Sequence, residues 1–271
     1  MRNKTNSALW INALVLGFIL IASFLGSFLI GIDPNYLDKH AILLPPSCDH
    51  WLGTDRLGRD LLARLLEGGS ISLIIGLSSA TLSTFIGVLY GVSAAFLRGG
   101  YDKLFIVMVD LFLTFPTLFL LLTLASYVNA SVWVLIFIIS LTGWMGTARL
   151  IRSESFAIAS KPYIRILQLG GVSPVKIMLK YYAPLLAPLV LVNFTFGVGG
   201  AILAESGLSF LGLGITAPQM SWGSILSNGK EVMDIAWWVS FFPGLLIFLV
   251  TFSLMNLSNA LQKRWSQKEV R

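Results

Sequence analysis

Five residues able to bind or transform a ligand fall in one short stretch of the chain: His40, Cys48, Asp49, His50 and Asp55. Imidazole and thiolate suit nickel or zinc, and carboxylates can complete such a site. The spacing therefore offers His50, Cys48 and Asp55 as metal ligands, in a loop that would receive a metal or metal chelate from a delivery protein. Catalytic groups are scarcer. A phosphate-binding loop needs Gly, four residues, then Gly-Lys-Ser/Thr. The nearest segment, Gly223 to Glu231, has five intervening residues and places Glu231 after Gly229-Lys230. The only histidines, His40 and His50, share one loop, so no Ser-His-Asp arrangement can be built. The chain is expected to be no enzyme and to carry no cofactor of its own.

A second chemical feature is cationic. Lys161 to Pro184 reads KPYIRILQLGGVSPVKIMLKYYAP, a polar segment between long apolar runs. Ser160 is expected to cap a helix whose first turn holds Pro162. That helix would run from Tyr163 to Leu169 and stop at Gly170-Gly171, one of which can take positive φ. Ser173-Pro174 restarts a helix with Lys176 and Lys180 on one face and Val175, Ile177, Met178 and Leu179 at the other positions. Such an elbow suits either a soluble partner or the lipid headgroup layer.

The elements that hold these groups follow from composition. Hydrophobic residues make up 56% of the 271 and charged ones 12%, with mean hydropathy +0.81, outside the range of soluble domains. Apolar runs at 8–32, 71–97, 104–126, 131–147, 185–204 and 236–258 each suit a membrane-spanning helix. No period-2 alternation recurs, which argues against a barrel. The first run follows Arg2 and Lys4 and exceeds a signal-peptide core, so it reads as an uncleaved anchor. With both termini inside, 14 of the 19 Lys and Arg residues fall on inner segments and five on outer ones, as positive-inside orientation requires. The net charge of +6 is thereby explained by the membrane rather than by nucleic acid. Trp222, Trp237 and Trp238 would form an outer aromatic belt. The single cysteine excludes an intrachain disulfide.

Finer expectations concern the outer segments and the third span. Thr54 would cap a helix from Asp55 to Glu67, with Leu57, Leu61, Leu62, Leu65 and Leu66 as its apolar stripe against Arg56, Arg59, Asp60 and Arg64, either lying on the outer bilayer surface as a brace or contacting substrate directly. The glycines of 207–214 permit irregular backbone that could line a cavity or serve as scaffold. Glu205, Ser209 and Trp222 are accordingly candidates for the substrate path, with Glu205 placed outside the membrane. Asp110 lies within the third span as a helix–helix tether, and Pro116 should kink that span.

Three of these segments carry a family resemblance. His50-Trp51-Leu52-Gly53-Thr54-Asp55-Arg56-Leu57-Gly58-Arg59-Asp60 is similar to the Gly-Thr-Asp-x-x-Gly-Arg-Asp signature of dipeptide, oligopeptide and nickel permeases. Gly207 to Gly214 with Ser221-Trp222-Gly223 resembles their loop before the last span. The elbow resembles the cytoplasmic loop of binding-protein-dependent ABC importer permeases, whose pattern is Glu-Ala-Ala, three residues, Gly, then hydrophobic-Pro. Gly171 and Pro184 fall at the right spacing, but Arg165-Ile166-Leu167 replaces the acidic start, so a salt bridge there would need an acidic partner. The family often has an arginine three positions before Asp110, where this chain has Val107. His50-Trp51, Thr114-Phe115-Pro116-Thr117 and Ile215-Thr216-Ala217-Pro218 are most similar to the nickel-type second permease. His50 and Asp55 occur in the peptide permeases' pattern too, which leaves a structural role open beside metal ligation.

The resemblance implies an all-α, six-span type I ABC importer fold in a bacterial inner membrane. Residues 1–70 would form the anchor and outer loop, 71–263 the permease domain with its coupling loop at 148–184, and 264–271 a cytoplasmic tail. Implied partners are a homologous second permease, two ATP-binding subunits that carry ATP and Mg²⁺, an extracytoplasmic substrate-binding protein and membrane lipid, but no nucleic acid. Tyr163, Arg165, Gly171, Ser173, Lys176 and Pro184 would couple to the ATPases. The cargo would be nickel or a metal chelate, alternatively a di- or oligopeptide. A secondary transporter would instead show inverted repeats and paired broken helices, and a purely structural membrane subunit would leave the two outer signatures without a purpose.

Overall fold

The computed structural model describes residues 2–269. Its helices are α1 (Arg2–Ile30), α2 (Leu61–Leu97), α3 (Gly99–Thr114), α4 (Thr117–Ser126) and α5 (Val132–Ala159). Then come α6 (Pro162–Leu169), α7 (Pro174–Ile177), a π-helical turn (Met178–Tyr182), α8 (Ala183–Phe210), α9 (Trp222–Lys230) and α10 (Trp238–Glu269). No strand forms among the described residues; Thr54 and Asp60 make an isolated antiparallel bridge. Every apolar run has become helix, because a chain in hydrocarbon must satisfy its backbone internally. Among the described residues five helices are long and apolar enough to cross a bilayer; α3 and α4, bent by 84° at their break, make a sixth when the pair is counted as one span.

Helix α2 is the central post. It packs along α5 and α8 and also touches α1, while α10 closes the bundle against α8, α9 and α1. Small residues set the α2–α5 approach: a Cβ on Gly91 would lie 2.7 Å from the Ala148 carbonyl. Close backbone approach of this kind is how membrane helices gain packing contacts when lipid is as apolar as they are.

Several boundaries differ from the sequence expectation. Thr54 caps no helix; Asp60 does, its carboxylate accepting from the Ala63 N–H at 3.0 Å. Residues 55–59 form a loop with a turn at Arg56-Leu57, and the second part of the expected surface helix is instead the start of the 37-residue α2. Arg64 is buried on that helix, which leaves no charged face for a bilayer surface. Pro116 breaks the third span outright, because it lacks an N–H and holds Phe115 extended (φ −80, ψ 133). Helix α5 continues through Gly143 and Gly146 to Ala159, and α10 runs past position 264 to Glu269. The side chains of Arg2, Lys4, Arg264 and Lys268, counted for orientation, and all of Arg271 lie outside the described residues.

Candidate functional site

At the elbow end, α6 and α7 stand against the ends of α5 and α8. Ile151, Ile158, Ile164, Ile177, Tyr182 and Leu186 form a buried apolar cluster beneath them. Ser160 ends α5, its hydroxyl donating back to the Ala157 carbonyl, so Lys161 takes the N-cap of α6. Of the two glycines, Gly171 has the positive φ, +73°. Ser173 occupies the N-cap of α7 without a side-chain bond. The second short helix does not end: it passes through the π turn directly into α8. Tyr163, Arg165, Gly171, Ser173, Lys176 and Pro184 are all exposed. Beside them Ile166, Leu169, Val175 and Leu179 expose 64–85% of their surface. This outward face combines apolar anchors with cations.

Ion pairs brace the same end. Arg152 donates to both Asp102 oxygens at 2.5 and 2.7 Å, tying the start of α3 to α5. Its guanidinium also lies 4.6 Å over the Phe156 ring. Asp110 finds the partner that the sequence left unnamed: Arg149 at 3.5 Å, again from α3 to α5, with both side chains substantially exposed.

Within the bundle, α2, α4, α5 and α8 enclose a cavity of about 210 Å³. Its polar lining is Ser83, Thr84, Thr117, Thr142, Thr147 and Asn193, and it contains no charged residue. Asn193 donates to Thr147 Oγ1 at 2.9 Å. Asn193, Gly197, Gly200, Ala201 and Ala204 recur at helical spacing, so α8 presents one small, hydrogen-bonding face here. Sequence reasoning missed this face. Its signal was a stripe of small residues within an apolar run.

The opposite end is densely bonded. Thr54 Oγ1 donates to the Ala41 carbonyl and accepts from the Leu44 N–H at 2.8 Å. Asp55 accepts from the Leu57 and Arg59 N–H groups through Oδ1, and from Arg59 Nε at 2.7 Å through Oδ2. Gly58 has φ +73°, and a Cβ there would collide with the Asp38 carbonyl. His50 Nδ1 lies 2.9 Å from Asp60 Oδ2, while Cys48 is exposed. Among the described residues no three His, Cys, Asp or Glu side chains converge as a metal site. The expected ligands His50, Cys48 and Asp55 are therefore not brought together; the histidine and the aspartate each hold a different structural partner.

Glu205, Ser209 and Trp222 do converge, but away from solvent. Glu205 is fully buried in α8 rather than in an outer loop. Its Oε1 accepts from Ser209 and Ser221 hydroxyls, each at 2.6 Å, and its Oε2 has no partner. Ser221 also caps α9 through a reciprocal capping box with Ser224. Trp222 donates its N–H to Ser72 Oγ and its indole N–H to the Leu65 carbonyl. It is wholly buried, so it is no belt residue; of the three tryptophans only Trp237 is substantially exposed. Gly223 lets α9 close on α8, since a Cβ would lie 2.6 Å from Ser206 Cα. The three residues form a clamp between α2, α8 and α9.

The family model described as "Binding-protein-dependent transport system inner membrane component" matches residues 84–267. The chain belongs to that family. It is similar to the dipeptide transport system permease protein of Bacillus subtilis, 33% identical over 96% of this chain and 82% of that protein. The oligopeptide transport system permease protein of Haemophilus influenzae is 31% identical over 99% of this chain and 86% of its own length. Among solved structures, the inward-facing MetNI methionine ABC transporter shares the fold, with TM-score 0.56 and 18% identity over 74% of this chain and 96% of that one. The protein is thus a multi-pass inner-membrane permease subunit of the ABC importer class, with a type I transmembrane fold. Its family is one of permeases rather than enzymes.

Proposed function

We propose that this subunit forms part of an ATP-driven importer for di- or oligopeptides. The observation that carries the reading is the uncharged cavity between α2, α4, α5 and α8, lined by hydroxyls, one carboxamide and small residues. Such a lining can hydrogen-bond a peptide backbone without holding it tightly, whereas divalent metals favour imidazole, thiolate or carboxylate donors. The names of the curated relatives also favour peptides over the nickel-type branch. Of the residues expected to bind metal, His50 and Asp55 are engaged elsewhere and the exposed Cys48 does not join them in a ligand cluster, which removes the support that their spacing gave.

The elbow is the proposed ATPase contact. Exposed apolar patches on a subunit of this kind mark partner surfaces, and the accompanying Arg165 and Lys176 fit an acidic partner. The π turn joins this surface to α8 without a break. A push on α6 and α7 would thus move the helix that lines the cavity and carries Glu205 at its far end. π-Helical turns inside helices are frequent at functional sites. A homologous second permease would complete the path, two ATP-binding subunits would drive it, and a binding protein would supply cargo from outside.

The test fills the cavity. A Cβ on Gly200 meets no neighbour within 4 Å, so Gly200→Phe should assemble normally yet cut labelled dipeptide uptake by the reconstituted complex about tenfold or more. Radiolabelled nickel uptake should be absent in both forms. Undiminished dipeptide uptake, or nickel uptake in the parent complex, would contradict the reading.

A further inference from the structure

A second cavity, of about 370 Å³, opens at the clamp end and is separate from the one between the spans. Asp55, Arg56, Arg59 and Arg64 form one wall; the 212–219 loop and the polar side of α9, with Ser224, Ser227 and Asn228, form the other. Its charge is unbalanced. Asp55 already serves two backbone N–H groups and Arg59 Nε. Arg56 reaches Glu231, which is 67% exposed at the rim. Even with Glu231 included, three guanidinium groups face two carboxylates.

Arg64 is the telling residue. Its side chain is only 4% exposed, one terminal nitrogen donates to the Pro34 carbonyl at 3.3 Å, and Nε has no hydrogen-bond partner. Asp55 Oδ2 lies 3.4 Å from that Nε without making the bond. Burying an under-bonded cation is costly, and a planar guanidinium is matched by a carboxylate. The volume exceeds that of one side chain and falls within the roughly 300–1,000 Å³ of small-molecule sites. On the other wall Asn228 can meet the adjoining amide; the Ser224 and Ser227 hydroxyls already donate to the Ser221 and Phe210 carbonyls.

We propose that this cavity receives the free C-terminal carboxylate of a short peptide as it enters the permease, an inference that rests on the peptide reading above. Arg64 and Arg59 would hold the carboxylate and α9 the last peptide unit. This would make the permease itself, rather than its binding protein alone, selective for unblocked C-termini.

The test uses the assembled membrane complex in lipid nanodiscs, with no binding protein present, and labelled alanylalanine against its C-terminal amide. The acid should bind about tenfold or more tighter than the amide. Asn228→Trp, which fills the cavity from its exposed wall, and Arg64→Lys, which keeps charge but loses the planar fork, should each abolish that preference. Equal binding of acid and amide overturns the proposal, as does a preference that survives both variants. A parallel assay adds the binding protein: if the variants weaken its docking and leave alanylalanine binding unchanged, the cavity holds a protein side chain and the proposal is likewise overturned. Failure here is distinct from failure of the peptide reading: in the former, alanylalanine is still imported by the complete system; in the latter, it is not.

Discussion

The two ends of the bundle use polar residues in opposite ways. At the clamp end, Thr54, Asp55, Asp60, Glu205 and Ser221 are buried and bonded within the chain. At the elbow, Arg165, Lys176 and the apolar side chains around them face outward. A residue that completes its bonds internally is there for the fold, whereas an exposed apolar and cationic face is incomplete until something covers it. Most polar groups of the outer signature are thus spent on internal bonds at one end, while the elbow leaves its apolar and cationic side chains outward, as the proposed ATPase contact requires.

One pair of substitutions sharpens that contrast most. Gly58 and Gly171 have the same φ of +73°, but a Cβ on Gly58 would strike the Asp38 carbonyl while one on Gly171 meets nothing. Gly58→Ala should cost about 3 kcal/mol or more, from backbone strain plus overpacking. Gly171→Ala should cost about 1 kcal/mol from strain alone. Thermal denaturation of the purified subunit would show whether the two fall apart in this order; equal losses would break the comparison.

Next in size is the buried carboxyl. Glu205→Ala leaves a void and removes the acceptor for two hydroxyls, at an expected cost of about 2–4 kcal/mol. Glu205→Gln keeps an acceptor and should lose less. If Glu205 lined the substrate path instead, both changes would alter uptake at unchanged stability. A charge reversal at the elbow, Arg165→Glu with Lys176→Glu, should shift stability by no more than about 0.5 kcal/mol. It should nonetheless reduce nucleotide-driven uptake, with the deficit depending on salt. Smallest is Asp110→Asn. Its pair with Arg149 is solvent-accessible and should contribute about 1 kcal/mol or less, so yield of assembled complex should dip slightly with cargo preference unchanged.

Much of the fold was legible because lipid imposes a simple rule on length and polarity. All six apolar runs are helical, the elbow's glycine stop and proline restart are present, and the third span yields at Pro116. What misled was polarity that the bundle absorbs. Arg56, Arg59, Asp60 and Arg64 opposite a leucine stripe suggested a surface helix, yet Arg64 is buried on α2 against Asp55 and the Pro34 carbonyl. Glu205 read as an outer acid because hydropathy cannot register that two serine hydroxyls await it inside. The metal reading took nearness in sequence for nearness in space: His50 turns to Asp60 and Asp55 to its arginines. The inner cavity left almost no trace, since Gly197, Gly200 and Ala204 differ from their apolar neighbours only in size.

The central claim is that the exposed elbow transmits ATP-driven motion through α8 to the cavity. The direct measurement is dipeptide uptake and ATPase stimulation by the reconstituted complex carrying Ile166→Asp and Leu169→Asp, two exposed positions whose change leaves the buried cluster beneath them intact. The account predicts a folded subunit whose uptake and stimulation both fall to background. Full uptake from that complex would contradict it.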